Sequence, residues 1–256
     1  MHRSFTSISE RLPGTHMKVH IVHAHPEAKS FNAALTAQAR SHLTQQGHEV
    51  TVSDLYAMNW QALSGRGNFT TCAAPDYFKQ QVEEAHATEN SGFAPDIQAE
   101  IDKLFACDAL ILQFPLWWFS MPAILKGWVD RVLAYAAVYG AGAWYDNGKF
   151  AGKKAMVSLT TGGGASMYGH DGINGNINTL LFPIQHGVLR LTGFDVLEPF
   201  ICWQPASVSA EVRADYLQAY RDRLDHLFTA EALPFASLHD YDPSTFRLRQ
   251  AATQNT

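Results

Sequence analysis

The 256-residue sequence has only three cysteines, Cys72, Cys107 and Cys202, and no two of them stand in C-x-x-C spacing. That excludes a disulfide framework and a thiolate metal centre, and it fits a reducing, cytoplasmic setting. No apolar run approaches the ~20 residues that cross a bilayer, so membrane insertion is not expected. A basic stripe is also missing: the formal charge of −5 is spread along the chain, which argues against nucleic acid and anionic membranes as partners and leaves small molecules. There is no G-x-G-x-x-G after the first apolar run and no G-x-x-x-x-G-K-S/T anywhere, so the dinucleotide and P-loop modes of holding phosphate lack their fingerprints. Residues 1–16 contain Arg and Ser but no apolar core of the kind a secretory signal needs, and they read as a disordered tail. Met17, directly before the first strand, reads as a second start site.

What is present is a globular balance, 46% hydrophobic and 17% charged. The length suits one α/β domain over 17–232 with sizeable excursions, followed by an irregular appendage over 233–256 that carries the aromatic anchors Phe235, Tyr241 and Phe246. The β-branched run Val19–Val22 is followed by Ala-His-Pro and a helical pattern from Phe31 to Gln46, closed by Gly47. Strands are expected at His48–Leu55, Ala109–Phe114, Lys153–Thr161 and Asp195–Trp203. Helices are expected at Pro95–Ala106, Pro122–Ala134, Asn176–Leu191 and Ser209–Phe228. Alternation of this kind implies a doubly wound five-stranded parallel sheet with helices on both faces, whose ligands bind beyond the carboxyl ends of the strands. The stretches Asn59–Phe93 and Tyr135–Phe150 are too long for simple connections and read as walls of a site or of a dimer interface.

Three loops at strand ends then carry the chemistry. His25-Pro-Glu-Ala-Lys-Ser-Phe-Asn32 runs into a helix N-terminus, where unpaired N–H groups and the dipole favour a phosphate; the other reading is an ordinary capped helix start. Phe114-Pro-Leu-Trp-Trp-Phe-Ser-Met-Pro122 puts two Trp and a Phe at a strand end, to be covered by a flat ring or by neighbouring loops. Thr160-Thr-Gly-Gly-Gly-Ala-Ser-Met-Tyr168 allows close approach of backbone to a heterocycle edge.

These segments, extended through Ala-Ile-Leu-Lys-Gly-Trp128 and joined by Asp54-Leu-Tyr-Ala-Met-Asn59, resemble the NAD(P)H:quinone reductase family of flavoproteins over nearly all of Met17 to Phe246. The resemblance implies a flavodoxin-like fold with strand order 2-1-3-4-5. It implies FAD, rather than FMN, with phosphates against His25, Ser30, Phe31 and Asn32 and the isoalloxazine against Pro115, Leu116, Trp117, Trp118 and Phe119 on one side and Thr160, Thr161, Gly162 and Gly163 on the other. The room in Asn59–Phe93 for an adenine points the same way. NAD(P)H is the implied co-substrate, and a quinone-like acceptor then takes the hydride in the same pocket, a ping-pong sequence in which the cofactor supplies the redox chemistry. Arg213 matches an arginine that in the family reaches the other subunit's cofactor, which implies a homodimer.

Tyr168, Asn174 and the Gly162 N–H are the candidates for steadying charge on the reduced cofactor. The family has a histidine where this sequence has Asn174, and Asn donates a hydrogen bond but does not take up a proton. Proton relay is therefore expected to weaken or to pass to His170. The acceptor pocket is expected to comprise Trp118, Phe119, Tyr139, Trp144, Met167 and Asn174, with Ala141 and Trp117 as departures from the family pattern. His186 stands at one ligand position of a metal site found in one branch of the family, but Arg190 takes the second, so no metal is expected. His20 and His23 read as structural. A second reading, from another functional class, is a flavin-binding regulatory subunit of a potassium-efflux transporter, which would carry an exposed apolar patch away from the cleft.

Overall fold

The computed structural model describes residues 16–249. The expected N-terminal tail therefore lies, but for His16, outside the described residues, as does the end of the C-terminal appendage. Strands β1 (Lys18–His23), β2 (Glu49–Asp54), β3 (Ala109–Pro115), β4 (Lys154–Thr160), β5 (Asp195–Val196) and β6 (Phe200–Cys202) alternate with helices α1 (Phe31–Gln45), α2 (Gln80–Asn90), α3 (Pro95–Ala106), α4 (Ala123–Val132), α5 (Ile177–Ile184) and α6 (Ala210–Asp225). All strand pairs are parallel, and the order is β2-β1-β3-β4-β5, with β6 also paired to β4. This is the expected flavodoxin-like sheet.

The strands are apolar on both faces because both faces are covered. Val19 and Ile21 of β1 and Ala109 and Ile111 of β3 pack with Leu35, Ala39 and Leu43 of α1 and Tyr220 and Leu224 of α6. The alternate residues Val22, Leu110, Leu112 and Phe114 face the other layer, with Ile97, Leu104, Trp128 and Leu181 from α3, α4 and α5. Buried apolar positions at Leu35, Ala39 and Leu43 give α1 its four-residue repeat, and the Ser30 side chain caps it by accepting from the Ala33 N–H at 3.1 Å.

Three elements differ from the sequence reading. The stretch Asn59–Phe93 holds helix α2, which was hidden because the residues it buries are Glu83, Glu84 and Ala87 rather than an apolar stripe. The last strand is two strands. Ser158 pairs with Phe200 and Ala155 with Val196, so Leu197, Glu198 and Pro199 oppose only Met156 and Val157, a one-residue bulge at a proline that has no N–H for the ladder. Helix Asn176–Leu191 stops being α-helical at Ile184 and widens into a π turn over Gln185–Arg190, one residue after Pro183 removes a helical donor.

Beneath the sheet, on the α3 side, the fully buried Glu100 accepts hydrogen bonds from Ser53 Oγ at 2.9 Å, from Trp128 Nε1 at 2.8 Å and from Lys103 Nζ. His20 Nε2 lies 3.7 Å away, and its Nδ1 is 2.8 Å from Thr51 Oγ1. Burial alone would raise this carboxyl, but hydrogen bonds from His20, Lys103, Trp128 and Ser53 outweigh it and bring it down to about 2. β1, β2, α3 and α4 meet at this one group. Replacing Glu100→Ala strands the donors and is expected to cost about 3–5 kcal/mol in chemical denaturation. Because the folded value lies below the ordinary 4.5, the contribution is present above that pH and is lost as pH falls toward about 2, so the variant's deficit relative to wild type should narrow in that window.

Candidate functional site

The carboxyl ends of β1, β3 and β4 open on a cleft of about 670 Å³ lined by His25, Lys29, Ser30, Phe31, Asn32, Ala34, Pro115, Leu116, Trp117, Thr160, Thr161, Gly162, Pro205, Ala206 and Arg213. All three loops singled out in the sequence therefore reach one place. Its floor is polar where a phosphate would sit: the α1 N-terminus presents its backbone donors there, with the cationic side chains of Lys29 and Arg213 on the rim. Arg213 lines the cleft of its own chain, with its Nη1 donating to the Val208 and Pro205 carbonyls, so its position by itself does not call for a second subunit.

The loops are tied together underneath. Gln113 Nε2 donates to Asn32 Oδ1 at 2.8 Å, and Asn32 Nδ2 donates to Thr160 Oγ1 at 2.8 Å, all three side chains being buried. Leu116 N–H donates to the Thr160 carbonyl, and Thr161 N–H to the Cys202 carbonyl, which extends the tie to β6. Thr161 Oγ1 donates to the Gly163 carbonyl at 2.7 Å and folds the Gly-rich turn back on itself. Gln113 is a site residue the sequence reading missed, and its signal was a lone amide in a strand otherwise fully apolar, where an unpaired polar group is costly. Pro205 and Ala206 were missed too, because they lie beyond the split strand. Substituting Asn32→Ala should cost about 1–3 kcal/mol in thermal unfolding by orphaning both partners, whereas the double change Asn32→Ala with Gln113→Leu should cost less than the sum of the single changes.

At the cleft edge, Trp117 and Ser120 exchange both backbone hydrogen bonds, closing a two-residue hairpin whose corners are Trp118 (φ 50°) and Phe119 (φ 60°). Such a turn favours Asn-Gly, and a bulky residue in the left-handed region costs of order 1–2 kcal/mol. The turn thrusts Trp118 outward until it is 94% exposed, with Phe119 at 45% and Trp117 at 41%. Neighbouring loops do not bury these rings, which removes the alternative reading that they pack inside the chain.

Of the other expected site residues, Tyr168 is buried with its ring 5.5 Å from that of Trp203, and Met167 and Gly163 lie beside it. The Asn174 N–H donates to the Met167 carbonyl, closing a loop so tight that a Cβ at Gly172 would sit 2.4 Å from the Met167 carbonyl. His170 is exposed, and among the described residues no hydrogen bond joins it to Tyr168. Tyr139 and Trp144 are not brought to the cleft. Tyr139 lines a separate cleft of about 610 Å³ with Gln81, Glu84 and Leu191, which shares no lining residue with the first.

Trp144 stands beside Asp146, a carboxylate that accepts from Arg190 Nη2, Ser237 Oγ and the Leu238 N–H and so ties the wall, the π turn and the C-terminal segment together. Burial opposes this carboxylate, but those donors hold it below its ordinary range. Phe246 meets the Trp144 ring edge-on at 6.0 Å, and Phe235 packs on His186, which also stacks on Phe182. His186 is thus an aromatic packing partner held low in pKa by burial and by Arg190.

Residues 17–226 match the model of a family described as having a flavodoxin-like fold. A human ribosyldihydronicotinamide dehydrogenase (quinone) is 44% identical over 218 residues, 85% of this chain and 94% of the relative. The rat NAD(P)H dehydrogenase (quinone) 1 is 42% identical over 223 residues, 87% of this chain and 81% of the relative. A solved Klebsiella pneumoniae structure described as a quinone reductase superposes with a TM-score of 0.88 at 43% identity, covering 91% of this chain and 94% of its own. Among the described residues no helix is long and apolar enough to cross a membrane. With the sheet order, the converging loops and these similarities in agreement, the chain belongs to the NAD(P)H:quinone oxidoreductase family of flavodoxin-fold proteins.

Proposed function

We propose that this chain takes a hydride from a reduced nicotinamide and delivers it, by way of FAD, to a quinone-like acceptor in a ping-pong sequence. The observation that carries the reading is the single cleft in which a phosphate-ready helix N-terminus, a Gly-rich turn and an exposed aromatic hairpin meet. His25, Ser30, Phe31 and Asn32 would hold the phosphates, and Leu116 to Phe119 with Thr160 to Gly163 the flat ring system, which supplies two-electron redox chemistry when bound. The chain's own task is orientation and electrostatics. The Gly162 N–H and Tyr168 offer donors where negative charge develops, while Asn174 supplies a neutral amide in place of a titrating group. The expectation that His170 takes over proton relay draws no support from its exposed position. The human relative's name adds a reduced nicotinamide riboside to NADH and NADPH as a candidate donor.

A homodimer belongs to the same reading. Trp118, Phe119, Ile173 and Phe182 are exposed, and the Tyr139 wall lies away from the cofactor cleft of its own chain, so a second copy would both cover the first set and bring that wall over the cleft. The regulatory-subunit reading draws no support from the relatives, which are named as quinone oxidoreductases.

Loading the purified chain with FAD, desalting, and adding NADH, NADPH or reduced nicotinamide riboside without oxygen should bleach the flavin band, and benzoquinone should restore it. A chain that retains no flavin would refute the proposal. Substituting Ser30→Ala should weaken flavin retention and cost about 1 kcal/mol of helix capping in thermal unfolding.

A further inference from the structure

Two buried glutamates stand in contrast. Glu100 has an ammonium and two neutral donors around it, whereas Glu84 on α2 is 3% exposed and has no cation among the described residues. Glu84 Oε2 accepts from the Tyr135 N–H at 2.7 Å and Oε1 from Gln80 Nε2 at 2.8 Å. Gln80 Nε2 also reaches the Asp130 carbonyl at 3.3 Å, tying α2 to α4. A buried carboxylate without a counter-ion is a burden on folding that apolar packing would remove, so its presence calls for a use.

The use is visible in what Tyr135 begins. Ala136 sits at φ 68° and donates to the Tyr139 carbonyl at 2.7 Å, and the Tyr135 and Tyr139 rings meet edge-on at 5.7 Å. Gly140 admits no side chain, since a Cβ would lie 2.4 Å from the Tyr135 ring. The turn is thus a rigid unit, fixed at its start by Glu84 and touched at its end by Gln81, whose Nε2 is 3.3 Å from the Tyr139 hydroxyl.

We propose that Glu84 is a positioning residue for the acceptor: its carboxylate holds the Tyr135–Tyr139 turn in place, and gain of one proton there loosens the seat that Tyr139 offers. This rests on the reading that the Tyr139 wall borders the acceptor. Burial raises the Glu84 carboxyl, with the bonds from Gln80 and Tyr135 only partly offsetting it. On its own helix the neighbouring Glu83 is turned toward the Ala73 and Ala74 N–H groups and Arg66. From the wall Glu84 is faced by Tyr135 and Tyr139, and from α4 by Asp130, itself paired with Lys126. The π turn contributes Gly187 and Val188 to the cleft, and the two residues after it Leu191 and Thr192, none of them titrating. A proton on Oε1 needs an acceptor, which Gln80 provides by turning its amide, at the loss of its bonds to the Asp130 carbonyl and from Ser64 Oγ.

The test follows both half-reactions of the FAD-loaded chain across acidic to neutral pH, with wild type, Glu84→Gln and Glu84→Ala, together with thermal melting of the unloaded protein. In wild type the KM for benzoquinone should rise as pH falls through the Glu84 titration, and the KM for the nicotinamide that uses the same pocket should rise with it, while flavin retention does not follow that titration. Glu84→Gln should flatten the KM profile at the low-pH level. Glu84→Ala should raise the KM for benzoquinone about tenfold, the usual scale for a lost charge-assisted hydrogen bond, with flavin retention unchanged. A raised folded-state value means wild type loses stability as pH rises through it, so Glu84→Gln should melt higher than wild type at neutral pH and not at acidic pH. A wild type that cycles with quinone, but whose KM profile Glu84→Gln leaves unchanged, overturns this inference alone. A wild type that quinone does not reoxidise overturns it together with the proposed function. Should Glu84→Ala not retain flavin, the Glu84→Gln profile and the melting comparison decide.

Discussion

The buried amide of Asn32 is the joint on which the cleft depends. It stands at the second position of α1, where the first loop ends, and it has one polar atom for β3 and one for β4. In a parallel sheet the loops at the carboxyl ends are not hydrogen-bonded to one another by the ladder, which ends with the strands. Beyond the first residues after each strand, where Leu116 and Thr161 still bond across, only side chains tie them together. Asn32 supplies that link at a depth where water cannot compete, and Gln113 fixes which way its amide points. The residues that would touch a ligand are therefore held by residues that would not, and the same logic recurs at Asp146 and at Glu84.

The two buried glutamates show that burial does not by itself set the charge state of a carboxyl. Glu100 and Glu84 are equally shielded from water, yet their pKa values move in opposite directions. The difference is local: four groups, one of them an ammonium, against two neutral donors. Glu100 sits where four elements cross and needs a fixed charge, while Glu84 sits under a wall and is poised to change.

Much of this was legible in the chain itself. The apolar runs of β1, β3 and β4 gave their own positions, since doubly covered strands need little else, and the three loops announced themselves by type: a capped helix start, a cluster of aromatics, a run of glycines. What the sequence did not disclose was polar burial. Helix α2 carries Glu83 and Glu84 inward and so lacks the stripe that marks a helix; Gln113 was passed over inside a strand read as fully apolar, although it is the first member of the relay through Asn32 to Thr160. The split of β5 from β6 turns on Pro199, and the π turn after Pro183 on a single missing N–H, both tertiary adjustments that periodicity does not register. The separation of Tyr139 from the cofactor cleft was also out of reach, because it depends on which side of α4 the loop passes.

The Trp118–Phe119 corner has a consequence for how such a protein changes over generations. Glycine or asparagine at either position would relax the backbone, so any drift there is downhill in stability, and only a demand for aromatic surface at the cleft edge opposes it. The two rings are thus an indicator of continuing selection on the site: in a lineage that had lost the need for it, these side chains would erode ahead of the scaffold beneath them, leaving an intact sheet with a silent cleft.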